Sequence, residues 1–244
     1  MKTSKLALAV LIVLIHTFFA CKKDKNNNGK KPDCRLKAYI EDRPGNPGTW
    51  EFTYNSDGKV SSIKLTYSGG VTIAEFTYTG NTILTIAKNS GQTMYEDSIT
   101  LDSKGRPANT RRYYNGTRTS WENTAFEYNV DDLSKLTNTN SSSGIQTKTA
   151  TYSNGNLIAL QSPTNTATYE YFPEETQVAD YLNVSGYLNY GFGIYPHKNL
   201  VKSLSSGGST TSFTYEKNGD GLIIKGKAIT AGVEVKMSYE YECN

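Results

Sequence analysis

Between Cys34 and Cys243 apolar residues recur at every second position, stop at short polar clusters, and resume. In one instance Trp50, Phe52 and Tyr54 alternate with Glu51, Thr53 and Asn55. The cluster NSDG follows, and the chain then runs on with Ile63, Leu65 and Tyr67 on one side. A period of two is that of a strand with one buried face. Asn, Asp and Gly reverse a chain because they tolerate positive φ and bond their own backbone. The stretch therefore predicts a β-hairpin. The aromatic or apolar residue that ends each rising arm returns at Tyr54, Tyr78, Leu101, Tyr128, Tyr152, Tyr171, Tyr215 and Tyr239, mostly about 24 residues apart.

Summed over the chain, the pattern predicts an all-β fold: an antiparallel meander of fourteen or fifteen strands forming one domain over residues 34–244. Abundant Tyr and Thr suit a pleated, half-buried surface, and closure into a barrel removes the two raw edges of so long a meander. A round barrel of that size with its apolar face inward encloses more space than side chains fill. Three escapes are open: flattening, filling the lumen with an inserted segment, or turning the apolar face to lipid. The last is disfavoured, because that face is rich in Tyr. A candidate insert lies where the repeat skips a beat, near residues 173–199. Pro173 with Glu174 and Glu175 reads as a helix start, Val178, Tyr181 and Leu182 fall at helical spacing, and Gly186 ends the turn.

The cysteines bear on closure. Val233, Val235, Met237, Tyr239, Tyr241 and Cys243 share one parity, and Cys34 shares parity with Leu36, Ala38 and Ile40. A Cys34–Cys243 disulfide that staples first strand to last is the expectation, two buried free thiols the alternative.

The N-terminus is different in kind. Lys2 and Lys5 precede an apolar run from Leu6 to Ile15, and the segment ends in Ala20-Cys21. This reads as a signal peptide over residues 1–20, too short for a membrane-spanning helix. It resembles a bacterial lipoprotein lipobox, which implies cleavage before Cys21 and acylation of that residue. Phe18 departs from the usual Leu, which leaves processing by signal peptidase I, or an uncleaved form, open. Residues 21–33 are polar, rich in Lys and Asn, and read as a tether.

This division changes the charge. The whole chain is +3; without residues 1–20 it has 24 basic against 23 acidic residues, and without Lys22 to Lys31 it has 19 against 22. The basicity belongs to the tether, where it would favour anionic headgroups. The domain has no basic stripe, so nucleic-acid binding has no support.

Beyond His16 in the leader, the chain holds one histidine, His197, within IYPHKN, so a Ser-His-Asp triad or a histidine-rich metal site would have to run through it. It reads as a loop-packing residue, and no cofactor or metal site is expected. Glu216, Asn218, Asp220 and Gly221 have the early spacing of a calcium loop, but Lys227 stands where the bidentate glutamate belongs. Glu174-Glu175 and Asp131-Asp132 are adjacent pairs whose side chains diverge. What remains is binding. Trp50, Trp121, Tyr113 and Tyr114 lie in or near turns, and Tyr187, Tyr190, Phe192 and Tyr195 cluster in the interruption as a candidate ligand platform.

The succession Y-x-x-D-G-x-V at Tyr54 to Val60, echoed at Tyr152 to Leu157, is similar to the tyrosine-aspartate repeats of RHS proteins. Together with Ala20-Cys21, the tether and YGFGIYPHKNLVKSL (Tyr190 to Leu204), the chain resembles Bacteroidetes lipoproteins of unknown function with a porin-like fold. The resemblance implies a curled meander and an outer-membrane address, and no activity. Three readings follow. The first is a lipid-anchored envelope protein whose barrel is a binding or interaction module for a glycan or an envelope protein. The second is a glycan-binding accessory lipoprotein of a polysaccharide-uptake system, and the third a carboxylate-dependent hydrolase.

Overall fold

The computed structural model describes residues 34–142, 144–176, 184, 195 and 197–243. The alternating stretches are its strands: β1 (Cys34–Asp42), β2 (Gly48–Tyr54), β3 (Val60–Tyr67), β4 (Gly70–Thr79), β5 (Thr82–Asn89), β6 (Gln92–Leu101), β7 (Pro107–Tyr114) and β8 (Trp121–Asn129). Then come β9 (Asp132–Asn140), β10 (Gly144–Ser153), β11 (Asn156–Gln161), β12 (Thr166–Thr176), β13 (Asn199–Ser206), β14 (Ser209–Lys217), β15 (Ile223–Thr230) and β16 (Val233–Cys243). Each pairs antiparallel with the next and β16 pairs with β1, giving a closed up-and-down barrel of 16 strands, more than the fourteen or fifteen expected.

Cys34 lies opposite Cys243 and the two are disulfide-bonded, 209 residues apart in sequence. This disulfide marks one end of the barrel. The parity expected for β1 does not hold along its whole length. A bulge between Leu36 and Ala38 shifts the register, so that Tyr39 and Glu41 pair with Tyr239 and Met237. Tyr39 and Glu41 are buried, while Ile40 sits opposite Ser238 and Thr49 on the other face. One extra residue flips every side chain beyond it.

Three corners at the disulfide end are built alike. The backbone N–H of Asn55 donates to Lys59 O, that of Asp102 to Arg106 O and that of Asn218 to Leu222 O. In each, Oδ1 of the leading Asn or Asp accepts from two backbone N–H groups: Asp57 and Lys59, Lys104 and Arg106, Asp220 and Leu222. Gly58, Gly105 and Gly221 sit at φ of 75°, 76° and 83°, where a Cβ is strained. Asn218 thus serves a turn, which accounts for the calcium-like spacing.

The interior near the disulfide end is filled. Phe52, Ile63, Phe76, Ile83 and Ile99 join Phe213, Ile223, Met237 and Tyr239 in one core cluster that also contains Val184. Val184 is helical and 1% exposed. Phe126, Leu133 and Leu136 form a second cluster, against which Tyr195 packs. Within the interruption, Val184 and Tyr195 thus pack into the interior. Residues 173–176, read as a helix start, instead extend β12, and the rest of the expected helix lies outside the described residues apart from Val184. Pro173 is tolerated there because the ladder skips from Tyr171↔Val201 to Thr176↔Asn199, so its missing N–H breaks no pairing.

The outer wall carries cross-strand ion pairs beside exposed apolar residues, among them Leu84, Ile145 and Ile229. Lys64 pairs with Glu51 (2.8 Å), Lys135 with Glu127 (2.7 Å), Lys225 with Glu216 (3.2 Å) and Lys227 with Glu234 (3.5 Å). The outward Ile73 and Ile86 each lie opposite a charged residue, Lys88 and Glu96 respectively.

Candidate functional site

Three places carry chemistry beyond the core. The first is the inner wall of β6–β9 toward the end away from the disulfide. There β7 lies between β6 and β8 with Arg112 opposite both Asp97 and Glu122. Arg112 Nε and Nη2 donate to the two Asp97 oxygens at 2.7 and 2.6 Å, and the guanidinium rests 4.1 Å from the Tyr95 ring centre. Asp97 is 4% exposed. Its burial raises the carboxyl above the ordinary aspartate value, outweighing the Arg112 hydrogen bond and charge, and nearby Glu122 adds to the rise. Burial alone would lower Arg112, yet the Asp97 bond and charge hold it above the ordinary arginine range. Beside them Tyr114 donates to Glu122 (3.2 Å) and Asn138 to Thr124 Oγ1 (3.2 Å). With both oxygens held by one guanidinium, the Asp97 carboxylate is not free to act as a nucleophile.

The second is a cavity of about 290 Å3 on the inner wall of β13–β16 and β1 at the same end. Phe213, Ala228, Val235 and Met237 make its apolar floor, and at its rim Arg43 pairs with Glu41 (3.0 Å), which accepts from Tyr39 (2.8 Å).

The third is on the outside of β7–β8. The Arg111 guanidinium stacks 3.7 Å from the Trp121 ring centre and 5.3 Å from that of Tyr113, and the Arg118 guanidinium lies 5.2 Å from the same Tyr113 ring centre. Trp121 and Tyr113 are cross-strand partners.

The expected site residues are distributed differently. Tyr187, Tyr190 and Phe192 lie outside the described residues, as does Cys21. Tyr195 packs on the second core cluster and its carbonyl is 2.8 Å from His197 Nδ1. His197 is buried beside Tyr171 (ring centres 5.8 Å apart), a packing role. Next to it Asn156 Oδ1 accepts from the backbone of Lys198 and Asn199, and Asn199 Nδ2 donates to Pro173 O, pinning the interruption to the wall. Trp50 faces inward against Tyr39 (5.3 Å). Tyr113 and Trp121 alone of the turn aromatics stand outside with arginine partners, while Tyr114 turns inward. Sequence reasoning passed over Asp97, Arg112 and Glu122; the signal available was their shared parity with Tyr95 and Tyr114. Among the described residues no group of three or more His, Cys, Asp and Glu comes together to hold a metal.

No protein-family model and no curated protein matches the chain. Solved structures similar to it include two porin-like proteins. A porin-like protein from Bacteroides uniformis ATCC 8492 superposes with a TM-score of 0.64 at 16% identity, covering 85% of this chain and 96% of that one. A porin-like protein from Bacteroides vulgatus ATCC 8482 does so with a TM-score of 0.57 at 11% identity, covering 85% and 98%. At these identities the likeness is one of fold: this chain has a porin-like barrel.

Proposed function

We propose that the chain is a lipid-anchored protein of a bacterial cell envelope, whose barrel is a filled, water-facing binding module and not a pore. The observation that carries this is the outer wall. Its cross-strand ion pairs stand where a membrane barrel presents an apolar band. Each Lys or Arg at the midplane of a bilayer would cost ~2–4 kcal/mol, so this wall suits water. A barrel of this polarity needs another means of holding to a membrane. The Ala20-Cys21 junction and the lysine-rich residues 21–33 supply one, and the chain enters the barrel at the disulfide end. The disulfide fits a compartment outside the cytosol. The polar inner wall and the cavity at the opposite end leave that end and the outer flanks for ligands.

The test is expression with the native leader in a Gram-negative host supplied with an alkyne-labelled fatty acid. The expected result is label on a mature protein that starts at Cys21 and fractionates with membranes. In Cys21→Ala the label is absent and the protein is soluble. An unlabelled wild-type protein in the soluble fraction would refute the reading, as would single-channel conductance from the purified protein in a planar bilayer.

A further inference from the structure

We propose that Arg111, Tyr113, Arg118 and Trp121 form a docking strip on the outer flank of β7–β8 for an acidic glycan, a polymer of sugars bearing carboxylates. The proposal gives the binding role above a ligand class, and so rests on it.

The argument begins with the arginines. Of the six in the chain, Arg35, Arg43, Arg106 and Arg112 each have a carboxylate partner. Arg111 and Arg118 have none among the described residues, nor does either donate a hydrogen bond there. Their contacts are with ring faces instead. Arg111 lies between Trp121 (3.7 Å) and Tyr113 (5.3 Å), and Arg118 against Tyr113 (5.2 Å). Glu96, opposite Tyr113, pairs with neither. Stacking fixes the plane of a guanidinium and leaves its N–H edge open, and that edge matches a carboxylate bidentately. Because the group is already held, less side-chain freedom is lost when a ligand arrives.

The supports are also fixed. Tyr113 and Trp121 face each other across the β7–β8 ladder, and the backbone N–H of Trp121 donates to Ser141 Oγ (3.2 Å). In the connecting residues 115–120, which carry Arg118, the Thr117 N–H donates to Tyr114 O (3.1 Å) and the Tyr114 N–H to Ser120 O (3.0 Å). Two guanidinium groups thus share one patch with two neighbouring rings. Such a patch is complementary to a chain whose flat sugar faces lie beside carboxylates, because the ring surface the arginines leave open stacks on the former and guanidinium edges bind the latter. An acidic peptide offers the carboxylates without the flat apolar faces.

The experiment is affinity electrophoresis and calorimetry of the full mature protein against three probes: polygalacturonate, the same polymer fully methyl-esterified, and poly-glutamate. The expectation is retardation by polygalacturonate alone. It should weaken at least about tenfold in the double variant Arg111→Gln/Arg118→Gln, the scale of one lost charge-assisted bond, and again in Trp121→Ala. The Tyr78→Phe variant, altered away from the strip where the hydroxyl donates to Val60 O, serves as the control for general damage and should bind as wild type. The proposal is overturned if polygalacturonate does not bind, if the double variant binds as well as wild type, or if poly-glutamate binds equally. None of those outcomes touches lipidation at Cys21, so the two readings fail separately.

Discussion

Tyr78 donates its phenolic hydrogen bond to the backbone carbonyl of Val60, 18 residues earlier, at 2.8 Å. Tyr54 does the same to Leu36 (2.6 Å), Tyr128 to Pro107 (2.8 Å) and Tyr171 to Leu157 (2.7 Å). Each acceptor lies where the register shifts, at Leu36/Ala38, Tyr54↔Val60, Leu101↔Pro107 and Tyr152↔Leu157. A bulge leaves a ladder group without its strand partner, and the repeated tyrosine supplies one. In three of the four, the residue before the acceptor lies over the same ring: Arg35 on Tyr54 (4.5 Å), Lys59 on Tyr78 (5.0 Å) and Arg106 on Tyr128 (4.0 Å). The repeat is therefore a clamp between neighbouring hairpins. Tyr78→Phe should lose about 1 kcal/mol of stability in urea unfolding. Tyr152→Phe, whose buried hydroxyl has no hydrogen-bond partner among the described residues, should lose nothing or gain. Equal losses in both would show that the hydroxyl bond is not what the tyrosine contributes.

Much of this fold was legible because period-two alternation is a property of neighbouring residues. It identified the hairpins, their polar corners and the cysteine pairing. It failed wherever geometry depends on an extra or missing residue. The bulge in β1 moved Ile40 outward, and the skipped pairing around Pro173 let a helix-like PEE continue a strand. The candidate sites were least legible. The stretch Asn109 to Tyr114 has no alternation of polarity at all, yet in it Arg111 and Tyr113 face out while Arg112 and Tyr114 face in. Adjacent identical residues with opposite surroundings can be separated only once the ladder register is known.

The three similar corners make a substitution experiment internal to the molecule. Two use Asn and one uses Asp102, whose Oδ2 also takes the Arg106 guanidinium (2.9 Å). Asp102→Asn keeps the Oδ1 acceptor and should cost under about 1 kcal/mol, the scale of a surface ion pair. Asp102→Ala removes the acceptor for two backbone N–H groups and should cost more, about 1–2 kcal/mol. Partial burial alone would raise the Asp102 carboxyl, but the Arg106 N–H and side chain and the Lys104 N–H outweigh it and hold the carboxyl below the ordinary aspartate value. A lowered folded pKa means that this stability is complete above the unfolded value, ~3.9, and is lost as pH falls through the folded one. Wild type and Asp102→Asn should therefore converge in urea midpoint below about pH 4; a constant gap down to pH 2 would refute the assignment.

Inside the barrel the sign is opposite. The folded Asp97 carboxyl is raised by burial, so in the interval from the unfolded aspartate value to the raised one the folded state binds more protons. Stability across that interval falls as pH rises. Arg112 limits the fall. Arg112→Met should destabilise by ~3–5 kcal/mol at pH 7, since it leaves a buried charge unpaired, and should recover part of the loss at pH 4, where Asp97 takes a proton. Arg112→Met/Asp97→Leu, which removes both charges, should be more stable than Arg112→Met alone. A single variant that loses as much at pH 4 as at pH 7 would mean that packing of the arginine stem, and not its charge, is what counts.

The seam between β1 and β16 is held twice, by the Cys34–Cys243 bond and by a ladder that runs from Cys34↔Cys243 to Asp42↔Lys236. The two devices act on different states. The ladder and the core around Tyr39 and Tyr239, whose rings lie 5.2 Å apart, stabilise the folded barrel, whereas the disulfide chiefly restricts the unfolded chain. Closing a loop of 209 residues would stabilise by up to ~5 kcal/mol in the chain-entropy model. Cys34→Ala/Cys243→Ala should accordingly unfold at markedly lower urea and temperature, while its far-ultraviolet spectrum and its tyrosine near-ultraviolet signal at 20 °C match wild type. Arg35, paired with Glu242 at 3.2 Å on the same seam, is too exposed to replace the bond. If the double variant instead loses its tyrosine signal under native conditions, the ladder alone does not close the barrel, and the covalent staple is a requirement for folding.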